Sequence, residues 1–352
     1  MNSPMRIVTA PSITSVSSPP HSQILEFLQP YPTYIEDRED WPTLVCNIAN
    51  RTVEIHKPIG SVKHYEPDGR IGNEILEGFG CAIQVCVTPE AGRHQLLHSD
   101  VWPTIESLLA WIRVRARHFW LLHGAYGHGA RYRGSEFHRV GDRIQQTNFG
   151  QYSPAVVVRP LSKTIWTAIE NELKSGKSPP VSESIFCDAL LSISAGDEVK
   201  GALELGVACE VEVTSLLDEV AHRHPDRQDA VEYLARNAKR NFPGFASKLK
   251  HWTVRCGLPG PEKYSSGSVP GDWIDTVQEL YNLRNAIAHS GKLSEGNHRL
   301  PKYVVATNAL FRYCRKVRIA DELGGKPECP ENEAPEQIVA ILGGDPNPPS
   351  VA

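Results

Sequence analysis

Long apolar runs, paired cysteines and a surplus of one charge are all missing from this 352-residue sequence. Nowhere do about 18 apolar residues follow one another, so no transmembrane helix and no membrane partner is expected. Eight cysteines stand at 46, 81, 86, 187, 209, 256, 314 and 329 without a single C-x2-C pair, which leaves no zinc-finger or dithiol redox motif. The formal net charge of −4 at pH 7 argues against a chain that coats nucleic acid through bulk charge, while leaving room for a local basic groove. Residues 1–22 are rich in Ser and Pro and lack the apolar core of about 7–15 residues that a secretory signal needs. Cys187, Cys209 and Cys256 sit in apolar helical patterns, as reduced core cysteines do, and a cytoplasmic protein is expected.

What is present divides the chain. Residues 1–22 read as a disordered leader. Residues 23–175 read as an α+β domain of unknown role. Order is expected from Gln23, and Leu44–Ile48, Thr52–His56, Cys81–Val87 and Ala155–Val158 are rich in β-branched residues, with Pro67-Asp68-Gly69 as a turn signal. A helix is expected over Pro103–Leu122, the proline marking its start. Lys174–Val181, KSGKSPPV, reads as a linker. Residues 182–320 read as an all-α bundle. Helices are expected over Ile185–Ser194, Asp197–His222, a third opening at Asp226 or Gln228 and resuming at Phe245–Arg255, Asp272–Gly291 and Lys302–Ile319. In the second of these the apolar stripe is expected at Leu203, Val207, Glu210 or Val211, Thr214, Leu217 and Val220. Residues 321–352 lose periodicity and read as a flexible tail.

The first domain offers little chemistry. His118, His123, His128 and His138, and the group His94, His98 and Asp100, have no Cys or carboxylate at a familiar ligand spacing, so no metal site is expected. Gly124, Gly127, Gly129 and Gly134 among Arg131, Arg133, Tyr126 and Tyr132 suit a plain hairpin connection or a loop that holds phosphate or single-stranded RNA. They lack the order of a P-loop or dinucleotide fingerprint.

Apolar period, helix punctuation and chemistry coincide only in Asp272–Gly291, DWIDTVQELYNLRNAIAHSG. Ile274, Val277, Leu280, Leu283 or Arg284, and Ile287 recur at helical spacing. Asp272 suits the N-cap and Gly291 the left-handed residue past the end. Asn285 and His289 stand at i and i+4 on one face, and Arg284 lies about 100° to one side. A His exchanges protons near neutral pH, an Arg presents a fixed fork of donors to phosphate, and an Asn orients either. A His and an Arg near a helix C-terminus also serve simply to complement the helix dipole, and both readings stand on spacing alone.

Arg284-Asn285-Ala286-Ile287-Ala288-His289 resembles the R-x4-6-H signature of the HEPN superfamily, including the polar residue directly after the Arg. The stretch FCDALLSISAGDEVKGALELGVACEVEVTSLL resembles the opening two helices of the Apea-like HEPN group, with the junction at Gly196-Asp197 and the internal Glu at Glu210 or Glu212. The resemblance spans about residues 182–320 and implies a metal-independent endoribonuclease, with no cofactor, whose cleft forms between two copies of the chain. In that reading His289 is the general acid/base, Arg284 holds the scissile phosphate, and Asn285 positions the phosphate or His289. Phage defence or toxin-like RNA restriction is the implied setting, with the first domain as sensor or regulator and a regulatory protein as a further partner. The alternative is a non-catalytic HEPN module that binds nucleotide, RNA or protein.

Two stretches add a basic frame. Residues 236–255 carry six basic side chains and no acid, and so do residues 299–318. Aromatic side chains interleave both runs, Phe245 and Trp252 in the first, Phe311 and Tyr313 in the second. Lys239, Arg240, Lys248, Lys250 and Arg255 from the first run, Lys292 beside the signature, and Arg312 and Arg315 from the second are candidate RNA contacts. Two solvated helix faces would show the same pattern.

Overall fold

A computed structural model describes residues 23–35, 41–58, 61–65, 71–75, 79–88, 95–122, 137–140, 143–146, 161–194, 196–223, 260–261, 272–293 and 300–322. They fall into two compact units, with the change of unit between Pro179 and Pro180. The first is α+β and the second, as far as it is described, is helical.

In the first unit, alternating apolar residues build a four-stranded antiparallel sheet. β1 (Gln23–Tyr34), β2 (Leu44–Ile48), β3 (Arg51–Ile55) and β6 (Phe79–Val87) are ordered β1-β6-β3-β2. The register sets Leu25 opposite Val85, Val85 opposite Ile55 and Ile55 opposite Leu44, so one buried row crosses all four strands. Because side chains alternate between faces, the next row is turned the other way. It runs Ile24, Cys86, Glu54, Val45, and Ile24 and Val45 are exposed. β2 and β3 are joined by Ala49 and Asn50, both at positive φ, as a two-residue hairpin requires. Two further hairpins pair β4 (Ser61–Tyr65) with β5 (Ile71–Ile75) and β7 (Phe137–Val140) with β8 (Arg143–Gln146).

The helix expected over Pro103–Leu122 is α1 (His98–Arg115), shifted toward the N-terminus. It starts five residues before Pro103 because Asp100 accepts the Leu97 N–H at 2.8 Å and closes the first turn there. It stops early because Arg117 takes φ +58° and Arg113 Nε donates to the Phe119 carbonyl at 3.0 Å, folding the chain back. Val101, Ile105, Leu108, Leu109 and Ile112 of α1 bury into the same core as the sheet's inner row. α2 (Lys163–Lys174), not anticipated, starts at Ser162, whose hydroxyl accepts the Ile165 N–H at 3.2 Å. Its Trp166 is fully buried and donates to the Pro42 carbonyl at 2.8 Å. The strand expected at Ala155–Val158 and the turn at Pro67-Asp68-Gly69 lie outside the described residues, as does the leader.

In the second unit, α3 (Val181–Ser194) and α4 (Glu198–Arg223) are joined at Gly196-Asp197. Gly196 has φ +80°, its N–H bonds to the Ile193 carbonyl at 3.0 Å, and the Asp197 N–H bonds to the Ser192 carbonyl at 2.9 Å. That paired closure ends α3 with a glycine in the left-handed region. Asp197 then turns its carboxylate to the Lys200 N–H at 3.0 Å and opens α4, so one dipeptide stops a helix and starts the next. α4 packs on α3, on α5 (Trp273–Ser290) and on α6 (Leu300–Glu322).

The face that α4 buries meets the expected one at Leu217 and otherwise differs from it. Ala202, Leu205, Ala208, Cys209, Val213, Leu216 and Leu217 are its core side chains, while Leu203, Val207 and Val211 are half-buried and Thr214 is exposed. Small residues let α4 approach its neighbours closely, and a stripe chosen by side-chain size misses them. α6 extends through residues 321 and 322, past the expected start of the tail. The third helix of the sequence reading and residues 323–352 lie outside the described residues.

Candidate functional site

α5 buries Trp273, Ile274, Thr276, Val277, Leu280, Leu283 and Ile287. The ambiguous position resolves to Leu283, which turns Arg284 onto the half-buried flank. Asp272 stands at the N-cap, but its carboxylate makes no capping bond to the helix; it pairs with Lys302 Nζ of α6 at 3.2 Å. The C-terminal end follows expectation: Gly291 has φ +68° and its N–H bonds to the Ile287 carbonyl at 2.7 Å.

The signature residues gather near this end. Arg284 Nη1 donates to Asn285 Oδ1 at 2.9 Å, and Arg284 Nη2 lies 3.1 Å from Glu210 Oε2 of α4. The Arg284 and Glu210 side chains are 28% and 38% exposed, so the pair faces solvent at one edge. Beneath it sits Gly206, where a Cβ would lie 2.7 Å from Arg284 Cβ and 2.8 Å from its Cγ; the Arg284 stem lies where any other residue would put a side chain. Asn285 is half-buried and His289, one turn further on, is exposed. Lys292 is exposed just beyond, its N–H held by Ser290 Oγ at 3.2 Å. Arg284, Asn285, His289 and Lys292 thus come together at one end of one helix, with Glu210 supplied by another.

In the second basic run, Lys302, Arg315 and Arg318 are paired with acids of other helices, and Lys316 is exposed. Arg315 Nη2 is 3.5 Å from Glu183 of α3, and Arg318 pairs with Glu212 and, at 2.8 Å, with Glu219 of α4. Lys302 pairs with Asp272 and, at 3.9 Å, with Glu279. The acids missing from that stretch of sequence are brought in by other helices. Arg312 is half-buried on the same helix. Lys239, Arg240, Lys248, Lys250 and Arg255 lie outside the described residues. Of the two acids offered for the internal position of α4, Glu210 reaches Arg284. Glu212 is 3% exposed, accepts from Ser182 Oγ at 2.6 Å and pairs with Arg318, tying α3, α4 and α6 together.

Among the described residues, three other reactive groups are closed off. Burial pushes the Cys209 thiol up to about 12 and the Cys314 thiol well above its usual range, so neither is a thiolate nucleophile. His118 is fully buried, stacks on Trp120 at 5.0 Å between centroids, and is held neutral by burial, its pKa lowered to about 3. His98 is exposed beside Phe27. His94, His123 and His128 lie outside the described residues. Among the described residues no group of three or more His, Cys, Asp or Glu is placed to share a metal ion, and no helix is long and apolar enough to cross a membrane. Compared with family models, curated proteins and solved structures, the chain matches none of them.

Proposed function

We propose that this chain is a HEPN-type, metal-independent endoribonuclease acting on single-stranded RNA, with the site of each active unit completed by a second copy. The observation that carries this reading is the cluster on α5. Arg284 is held against α4 and hydrogen-bonded to Asn285, while His289 stands open to solvent one turn away. Those are the groups an in-line transesterification uses. The RNA 2′-oxygen gives up its proton and bonds to phosphorus as the 5′-oxygen leaves and takes a proton. The products are a 2′,3′-cyclic phosphate and a 5′-hydroxyl. His289 handles one proton, a second His289 from the partner copy the other, and Arg284 offsets the charge that builds on the phosphoryl oxygens. A bulk-neutral, cytoplasmic chain serving RNA restriction, with its first unit as sensor, is the setting that fits.

Purified protein should cleave single-stranded RNA in excess EDTA, and His289→Ala should lower the rate at least about a hundredfold with the melting curve unchanged. Loss of cleavage in EDTA with recovery on adding a divalent ion would overturn the metal-free step. One observation favours a second reading: Glu210 already compensates the Arg284 charge, as in a structural ion pair. A non-catalytic binding module would bind RNA or nucleotide without cleaving it, and His289→Ala would then change nothing in the cleavage assay.

A further inference from the structure

Arg284 meets α4 at two levels, one turn apart. Its stem fills the space above Gly206, and its guanidinium lies on Glu210. A guanidinium only donates hydrogen bonds, so the Asn285 atom facing Arg284 Nη1 is the amide oxygen, and the amide nitrogen is turned away from it. Asn285 therefore has its two N–H donors left to offer to whatever approaches. Two of the five guanidinium N–H groups point to Glu210 and Asn285, which leaves the others to take an anion.

We infer that Glu210, one turn past Gly206, is a positioning residue that holds Arg284, and through it Asn285, as a ready-made array of donors for an RNA phosphate. The inference rests on the ribonuclease reading above and gives Asn285 one role, as a donor to phosphate. A part-exposed ion pair adds little to stability, so the value of the Glu210–Arg284 contact lies in orientation. That separates its effect from folding. With Glu210 removed, Arg284 regains its rotamers and the donors no longer converge. A misplacement of about 1 Å at a reacting group is worth up to about a hundredfold in rate.

The test uses the full chain with Glu210→Ala and Glu210→Gln. Cleavage of a defined single-stranded RNA is measured alongside binding of a fully 2′-O-methylated oligonucleotide of the same sequence, which cannot be cleaved, across a salt series. Glu210→Ala is expected to slow cleavage roughly tenfold to a hundredfold and to reduce the slope of log affinity against log salt by about 0.7, the loss of one phosphate contact on a single strand. Glu210→Gln, which keeps an accepting oxygen on a side chain of the same size, is expected to fall between wild type and Glu210→Ala, and it carries the test if the alanine variant does not fold. Wild-type cleavage and an unchanged salt slope in both variants would overturn the positioning role and leave the ribonuclease intact. Faster cleavage on removing Glu210 would overturn it too, since the carboxylate would then be competing with phosphate for Arg284. If wild type binds the oligonucleotide but cleaves no RNA, the ribonuclease reading fails, and an unchanged slope in the variants would overturn the Glu210 role as well.

Discussion

Arg284 and His118 show how much a single residue's meaning depends on what packs beside it. On a helical wheel either Leu283 or Arg284 fills the apolar period, and only burial of Leu283 turns Arg284 onto the half-buried flank. The partner that orients it, Glu210, was one of two acids the sequence offered, and spacing along α4 had no way to choose between them. Gly206 carries no chemistry in the sequence at all; its role appears once the Arg284 stem is seen to lie across it. His118 looked like one of a loose group of histidines and is instead a core residue. Burial lowers its pKa from 6.5 to about 3, so the folded chain takes up this proton later than the unfolded chain. Above pH 6.5 both states are neutral and nothing is lost; as pH falls from there toward 3, the unfolded state gains a proton that the folded state refuses, and stability drops. At ~1.4 kcal/mol per unit the full effect is a few kcal/mol. Denaturant melts of the full chain at pH 7 and pH 4 should show a smaller pH effect in His118→Phe, which keeps a ring against Trp120. Equal pH effects in the two proteins would refute the assignment.

At the scale of elements, the described helices other than α2 were legible and their faces less so. Gly196-Asp197 announces a helix stop and start because both jobs need particular side chains, and the observed bonds are those the residue types suggest. The inner face of α4 was placed only at Leu217, because glycine, alanine and cysteine pack where close approach matters more than bulk. α6 shows a different difficulty. A run of six basic residues without an acid reads as an open cationic face, yet Arg315 and Arg318 turn inward onto Glu183, Glu212 and Glu219. Glu212 is buried and depends on Arg318 for its charge balance. Arg318→Met should therefore cost roughly 3 kcal/mol by leaving an uncompensated carboxylate, and adding Glu212→Gln should restore part of it. Chemical denaturation of the two variants checks this; a double variant less stable than the single one would contradict it.

For the whole molecule, two consequences follow. α2 ends at Lys174, with Gly176 at φ +66° past its end, and α3 begins at Val181; Lys174 and Lys177, near the end of the first unit, are exposed. Brief trypsin treatment should cut there first and yield a fragment of each unit, identified by mass; a first cut inside α4 or α5 would count against independent units. The two-histidine mechanism proposed above requires a second copy. Light scattering at micromolar concentration should give about twice the chain mass of 39.0 kDa, and a monomer there would leave the two-histidine mechanism without its second proton carrier.

The sequence by itself determined the coarse layout, α+β and then helical, because helix stops and strand alternation are local properties written in neighbouring residues. It also determined that Arg284, Asn285 and His289 share one end of α5, since spacing within a helix sets their angles. Only the tertiary structure decided which charges are free. Ion pairing joins residues far apart in the chain, so Glu210 against Arg284, Glu183 against Arg315 and Glu212 against Arg318 could be read only after the helices had packed.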